Sequence, residues 1–158
     1  MTNFYGSLIG FGAGGVAAPV ADRGARGLFA GGNSGAPGWA NTNIIDYVTI
    51  QTTSNTTDFH DLTVARPPHE GRASSGSRGV FMGGGTTDVM DYVTIGSLAV
   101  AQDFGNISQV GEGGSGNGNG VRGVIGATNS TDQDFIEFIT ISSIGDASTF
   151  GNRSVSDK

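Results

Sequence analysis

Apolar residues along this chain fall in short clusters separated by glycine, serine, threonine and asparagine, and one cluster occurs three times. Ile45-Asp46-Tyr47-Val48-Thr49-Ile50 returns as Met90-Asp91-Tyr92-Val93-Thr94-Ile95 and again as Ile136-Glu137-Phe138-Ile139-Thr140-Ile141. Successive side chains of a strand alternate between faces, so Tyr47, Tyr92 and Phe138 point one way. Val48 with Ile50, Val93 with Ile95, and Ile139 with Ile141 point the other way. A sheet built on such strands is apolar on both faces and has to be covered on both.

Two further landmarks keep step with this cluster. Upstream lie Arg26-Gly27-Leu28-Phe29-Ala30-Gly31-Gly32, Arg78-Gly79-Val80-Phe81-Met82-Gly83-Gly84 and the shorter Arg122-Gly123-Val124-Ile125-Gly126. Downstream come Asp58-Phe59, Asp103-Phe104 and Thr149-Phe150. Each unit therefore reads as a strand ending in glycines, a turn, the acid-aromatic-Val-Thr strand, a second turn, and a strand carrying the phenylalanine. A small-residue segment such as Ala73-Ser74-Ser75 precedes the arginine and predicts a fourth, innermost strand, where small side chains fit a crowded axis. The expected fold class is all-β: three tandem four-stranded antiparallel repeats, arranged as propeller-like blades or a three-sided β prism and completed by oligomerisation. Residues 1–15 are expected to form an N-terminal arm, and residues 16–158 one repeat domain with units at about 16–66, 67–111 and 112–158.

Composition supports strands over helices. The 29 glycines among 158 residues far exceed the roughly 7% of average usage, and glycine in such number favours tight turns. No amphipathic helix is predicted.

The order of apolar strand, diglycine, tyrosine-bearing strand and outer aromatic in Gly79–Gly84, Met90–Val93 and Phe104 resembles the kelch repeat, although the outer tryptophan of that pattern is missing. The sequence is more similar to kelch-like repeat proteins of tailed bacteriophages, whose units run Arg-Gly-Val-Phe, a glycine run, Asp-Tyr-Val-Thr-Ile and Asp-Phe-Gly-Asp-Leu. Arg78–Ile107 and Asn43–Leu62 carry the likeness, which extends over Arg23–Phe150. The resemblance implies a non-enzymatic virion protein, structural or accessory, in the capsid decoration, tail or fibre. Its implied partners are other virion proteins and copies of itself. Propellers use about four to eight blades, so three units call for completion by symmetry.

Charge and candidate chemistry refine this picture. A formal net charge of -6 repels polyphosphate and argues against nucleic acid or an anionic membrane as partner. No cysteine is present, so disulfides and thiolate metal sites are excluded. Gly6–Ala21 is mildly apolar and ends in a run resembling a signal-peptidase site, but it lacks a basic start and is broken by glycines, so we do not expect a signal peptide.

The recurring acids Asp46, Asp91 and Glu137 share a strand face with valine and isoleucine, and an acid there needs a partner. The recurring arginines Arg26, Arg78 and Arg122 open the neighbouring strand, so we expect a structural arginine-carboxylate pair in each unit, in preference to a carboxylate ring for a cation or sugar. His60 and His69 occur in a single repeat without a recurring acid, which argues against acid-base or metal chemistry. Asn129-Ser130-Thr131-Asp132-Gln133-Asp134 alternates oxygen-bearing side chains but lacks the full calcium-loop spacing, and reads as a turn. Gly111–Gly120, without a following lysine or helix, reads as a flexible connector rather than a phosphate loop.

Trp39 sits in an insertion of the first unit and is the candidate partner contact, with packing over a neighbouring blade or subunit as its other reading. We expect no cofactor, metal or catalytic residue. The main alternative is a carbohydrate-binding module for host-surface glycans, which requires Trp39, Tyr47 and Tyr92 to be exposed. Propeller-bearing copper oxidases rank last, since their cross-linked cysteine is missing.

Overall fold

A computed structural model of the chain describes residues 25–35, 38–68, 70–110, 112–128 and 134–154. These form twelve strands and no helix: β1 (Arg26–Ala30), β2 (Asn33–Ser34), β3 (Ala40–Thr49), β4 (Thr57–Arg66), β5 (Gly71–Ser74), β6 (Arg78–Met82), β7 (Val89–Thr94), β8 (Gln102–Asn106), β9 (Glu112–Gly118), β10 (Arg122–Thr128), β11 (Phe135–Thr140) and β12 (Ser148–Asn152). They make three four-stranded antiparallel sheets. The second runs β5-β6-β7-β8 and the third β9-β10-β11-β12, both as plain meanders. In the first, β3 pairs with β1, β2 and β4, and the short β2 comes from the insertion that carries Trp39. The first unit's counterpart of β5 would fall before residue 25, outside the described residues, as do the proposed arm and signal-like segment.

Register is the same in all three units. Arg26 faces Thr49, Arg78 faces Thr94 and Arg122 faces Thr140, so equivalent side chains land on equivalent faces. The sheets stack face to face. Ala30, Ile45, Phe59 and Leu62 of the first sheet pack with Phe81 and Val93 of the second. The opposite face of the second sheet, with Val80, Met82, Met90 and Phe104, packs on Ile125, Ile139 and Ile141 of the third. The expected two-sided burial is thus realised in the middle sheet, whereas among the described residues the first and third each bury one face.

The second and third sheets approach closely at β5 and β9. A Cβ on Gly116 would lie 2.3 Å from the Arg72 backbone nitrogen, and one on Gly71 would lie 2.5 Å from Ile125 Cδ1. Here the flexible-connector reading of Gly111–Gly120 is overturned: Glu112–Gly118 is the inner strand of the third sheet, paired with β10 through Gly123↔Gly118, Val124↔Asn117 and Ile125↔Gly116. Its glycines serve close approach rather than freedom of movement. Replacing Gly116 by alanine should cost about 1–3 kcal/mol of stability, the usual penalty for overpacking. Gly126→Ala, where nothing lies within 4 Å of the added methyl, should stay close to wild type. Urea unfolding of the two variants checks the contrast.

Candidate functional site

Polar groups cross between sheets at recurring positions, and these crossings form the most organised chemistry among the described residues. Each recurring arginine lies over the aromatic ring of its own sheet: Arg26 is 4.8 Å from the Tyr47 ring centre, Arg78 4.3 Å from that of Tyr92, and Arg122 4.3 Å from that of Phe138. Cation–π stacking of this kind fixes the guanidinium plane. The ring is held in turn by an edge-on phenylalanine, in the pairs Tyr47–Phe59, Tyr92–Phe104 and Phe138–Phe150. So aimed, Arg26 Nη1 donates to the Ile95 carbonyl at 2.7 Å and Arg78 Nη1 to the Ile141 carbonyl at 2.8 Å. Each bond runs from one sheet to the next.

The expected ion pairs of Arg26, Arg78 and Arg122 with Asp46, Asp91 and Glu137 do not form. Arg78 shares a face with Val80 and Tyr92, whereas Asp91 lies on the Phe81 and Val93 face, three residues along the ladder from the arginine's partner Thr94. The two charges therefore project from opposite sides of one sheet, and the same register holds in the other units. The acids are met by the preceding sheet instead. Asp91 is fully buried and pairs with Arg66, while Thr63 Oγ1 donates to its Oδ1 at 2.5 Å. Glu137, 3% exposed, accepts from the Ser108 backbone N–H at 3.0 Å.

Arg66, at the end of β4, reaches across to the second sheet. Besides Asp91 it donates to the carbonyls of Gly83 at 3.0 Å and Val89 at 3.1 Å. Burial lowers its pKa, and the facing carboxylates of Asp91 and Glu70 oppose that shift. Glu70 is 6% exposed and takes two bonds on Oε1 from Arg72, at 2.8 and 3.1 Å. Burial raises its pKa against the attraction of Arg72 and Arg66. Burial likewise raises Asp91, opposed by the Thr63 hydrogen bond and by Arg66. Neither Arg66 nor Glu70 recurs in the other units, so counting repeats could not find them; an acid on an apolar strand face signalled that Asp91 needed a polar partner without saying which.

Trp39 is 67% exposed beside β3, with φ at +26°. Tyr47 and Tyr92 are half-buried under their arginines and are not free as a sugar platform. A cleft of 280 Å³ between sheets is lined by Arg26, Leu28, Arg72, Ser74, Phe81 and Asn117. Its two cations are already engaged, Arg26 by the Ile95 carbonyl and Arg72 by Glu70 and the Ala30 carbonyl. His60 is exposed, with φ at +143° in β4; His69 and residues 129–133 of the calcium-like run lie outside the described residues. Among the described residues no three histidine, aspartate or glutamate side chains gather as a metal site.

Compared with models of known protein families and with curated protein sequences, the chain matches none. Its class is defined by its architecture, an all-β protein of repeated four-stranded sheets.

Arg66→Met should cost about 3–5 kcal/mol, because it strands a buried carboxylate, and Asp91→Leu added to it should recover most of that loss. Urea unfolding of the single and double variants checks this. Glu70 gives a pH test. An acid whose folded pKa is raised adds stability below its unfolded pKa, and that contribution is lost as pH rises through the folded value. The stability of wild type relative to Glu70→Gln should therefore rise as pH is lowered from about 7 to about 5, above the ordinary glutamate pKa of roughly 4.3. A difference independent of pH over that window contradicts the shift.

Proposed function

We propose that this chain is a non-enzymatic structural or accessory subunit of a tailed-bacteriophage particle, a capsid decoration, tail or fibre component that works by docking on other virion proteins. The observation that carries the docking part is the exposure of large apolar side chains on the two end sheets. Phe29 is 53% and Phe150 54% exposed, whereas their repeat equivalents Phe81 and Phe104 are 3% and 0% exposed. A soluble monomer rarely leaves such faces open unless a partner covers them. The virion assignment is supported by the likeness of Arg78–Ile107 and Asn43–Leu62 to kelch-like phage repeats. In this reading the sheets are propeller-like blades, and homo-oligomerisation supplies the units that three alone lack.

A second reading, a module that binds host-surface glycans, is favoured by Trp39 alone, whose ring is largely open to solvent. Mass spectrometry of density-purified particles from the source lysate tests the first reading: the chain should be recovered in the particle band, and its confinement to the soluble fraction would sink that reading. Under the second, a glycan array should give binding that Trp39→Ala removes.

A further inference from the structure

The contacts between sheets have a direction, and among the described residues the first and third sheets each leave one half of every such contact unfilled. Three of them recur. The stacked arginine of one sheet donates to the isoleucine carbonyl of the next, Arg26 to Ile95 and Arg78 to Ile141. The carbonyl two residues past the outer phenylalanine accepts from a loop amide of the next sheet, Asp61 from Ala101 at 3.1 Å and Asn106 from Ala147 at 2.9 Å. The residue four past that phenylalanine caps the acid of the next sheet, Thr63 on Asp91 and Ser108 on Glu137.

The third sheet carries all three leading halves. Arg122 is stacked over Phe138 in the posture of Arg26 and Arg78, yet among the described residues no carbonyl receives it. Asn152 and Ser154 stand two and four residues beyond Phe150. The first sheet carries the receiving halves: the Ile50 carbonyl, the Thr56 amide three residues before Phe59, and Asp46. Glycine tells the same story. A Cβ on Gly105 would meet the Gly145 backbone of the following sheet at 2.6 Å, whereas its counterpart Gly151 has nothing within 4 Å.

The apolar faces match as well. The open face of the first sheet holds Phe29, Val48 and Ile50, at the positions of Phe81, Val93 and Ile95 and of Ile125, Ile139 and Ile141. The open face of the third sheet holds Val124, Phe138 and Phe150, at the positions of Val80, Tyr92 and Phe104.

We infer that the occupant of both faces is a second copy of this chain, docked head to tail. The third sheet of each copy seats on the first sheet of the other, with Arg122 donating to the partner's Ile50 carbonyl. The docking reading above is the ground for this step, which names the partner. A contact that joins two different faces closes into a ring or runs on as a filament. The close approach of β5 and β9 narrows the stack on that side, which favours a ring, and six is the only multiple of three within the roughly four to eight blades of closed propellers.

Native mass spectrometry of the full chain should give twice the 16.0 kDa of one copy. Ile50→Asp damages only the receiving face and Phe150→Asp only the leading face; Arg122→Glu is a second leading-face variant at an exposed position. Each variant alone should be monomeric where wild type is paired. Mixing Ile50→Asp with either leading-face variant should restore a two-chain species, held by one intact interface of two and dissociating at least about tenfold more readily. A wild-type monomer, with the chain's own first 24 residues or another protein as occupant, overturns the inference. So does a larger assembly, or a leading-face variant that stays fully dimeric as a face-to-face pair of first sheets would allow. Recovery of the chain in phage particles would stand under any of these results, so the two proposals fail separately.

Discussion

Face-to-face burial of sheets that are apolar on both sides is the constraint on which the rest of this molecule depends. A strand such as Met90–Ile95 offers Met90 and Tyr92 to one neighbour and Val93 to the other, so no sheet of this kind is satisfied alone. Burial of apolar surface is worth roughly 25 cal/mol per Å², and among the described residues only the middle sheet collects it on both faces. The polar crossings then fix how one sheet seats on the next: the guanidinium on one face reaches a backbone carbonyl of the following sheet, and the carboxylate on the other face is met by groups of the preceding sheet.

Much of this was legible in the sequence. The triple recurrence of Ile45–Ile50, the alternation along it and the small residues before Arg78 predict three four-stranded antiparallel sheets, and three are present; the small-residue strand lies where expected only in the second, the fourth strand coming from the Trp39 insertion in the first and from the glycine-rich stretch in the third. The alternation also assigned Tyr92 and Val93 to opposite faces correctly. What failed was the pairing of charges within a unit. Arg78 and Asp91 are neighbours in the linear pattern, but cross-strand register decides their faces, and register depends on a turn whose geometry the pattern leaves open. Once Thr94 is opposite Arg78, the acid has to look to the preceding sheet.

The candidate site was less legible than the fold for a related reason. A repeat calls attention to what recurs, whereas the partner of Asp91 is Arg66, at the end of a strand whose counterparts carry no arginine. The acid partner likewise varies in kind: a guanidinium and a hydroxyl at Asp91, a backbone amide at Glu137. Burial demands that a carboxylate be satisfied without prescribing by what. The glycine-rich stretch before Arg122 misled in another way, because the same residue that loosens a loop also permits two backbones to touch.

That stretch has a bearing on how the chain reaches its folded state. A strand of sequence Glu-Gly-Gly-Ser-Gly-Asn-Gly has almost no side chain to pack, and glycine gives up more backbone freedom on ordering than any other residue. β9 can repay that entropy only through its ladder with β10 and its seat against Arg72 on β5, both of which must already exist. The inner edge of the third sheet is thus conditional on the second: β9 keeps its ordered form only while β5 and β10 are in place beside it.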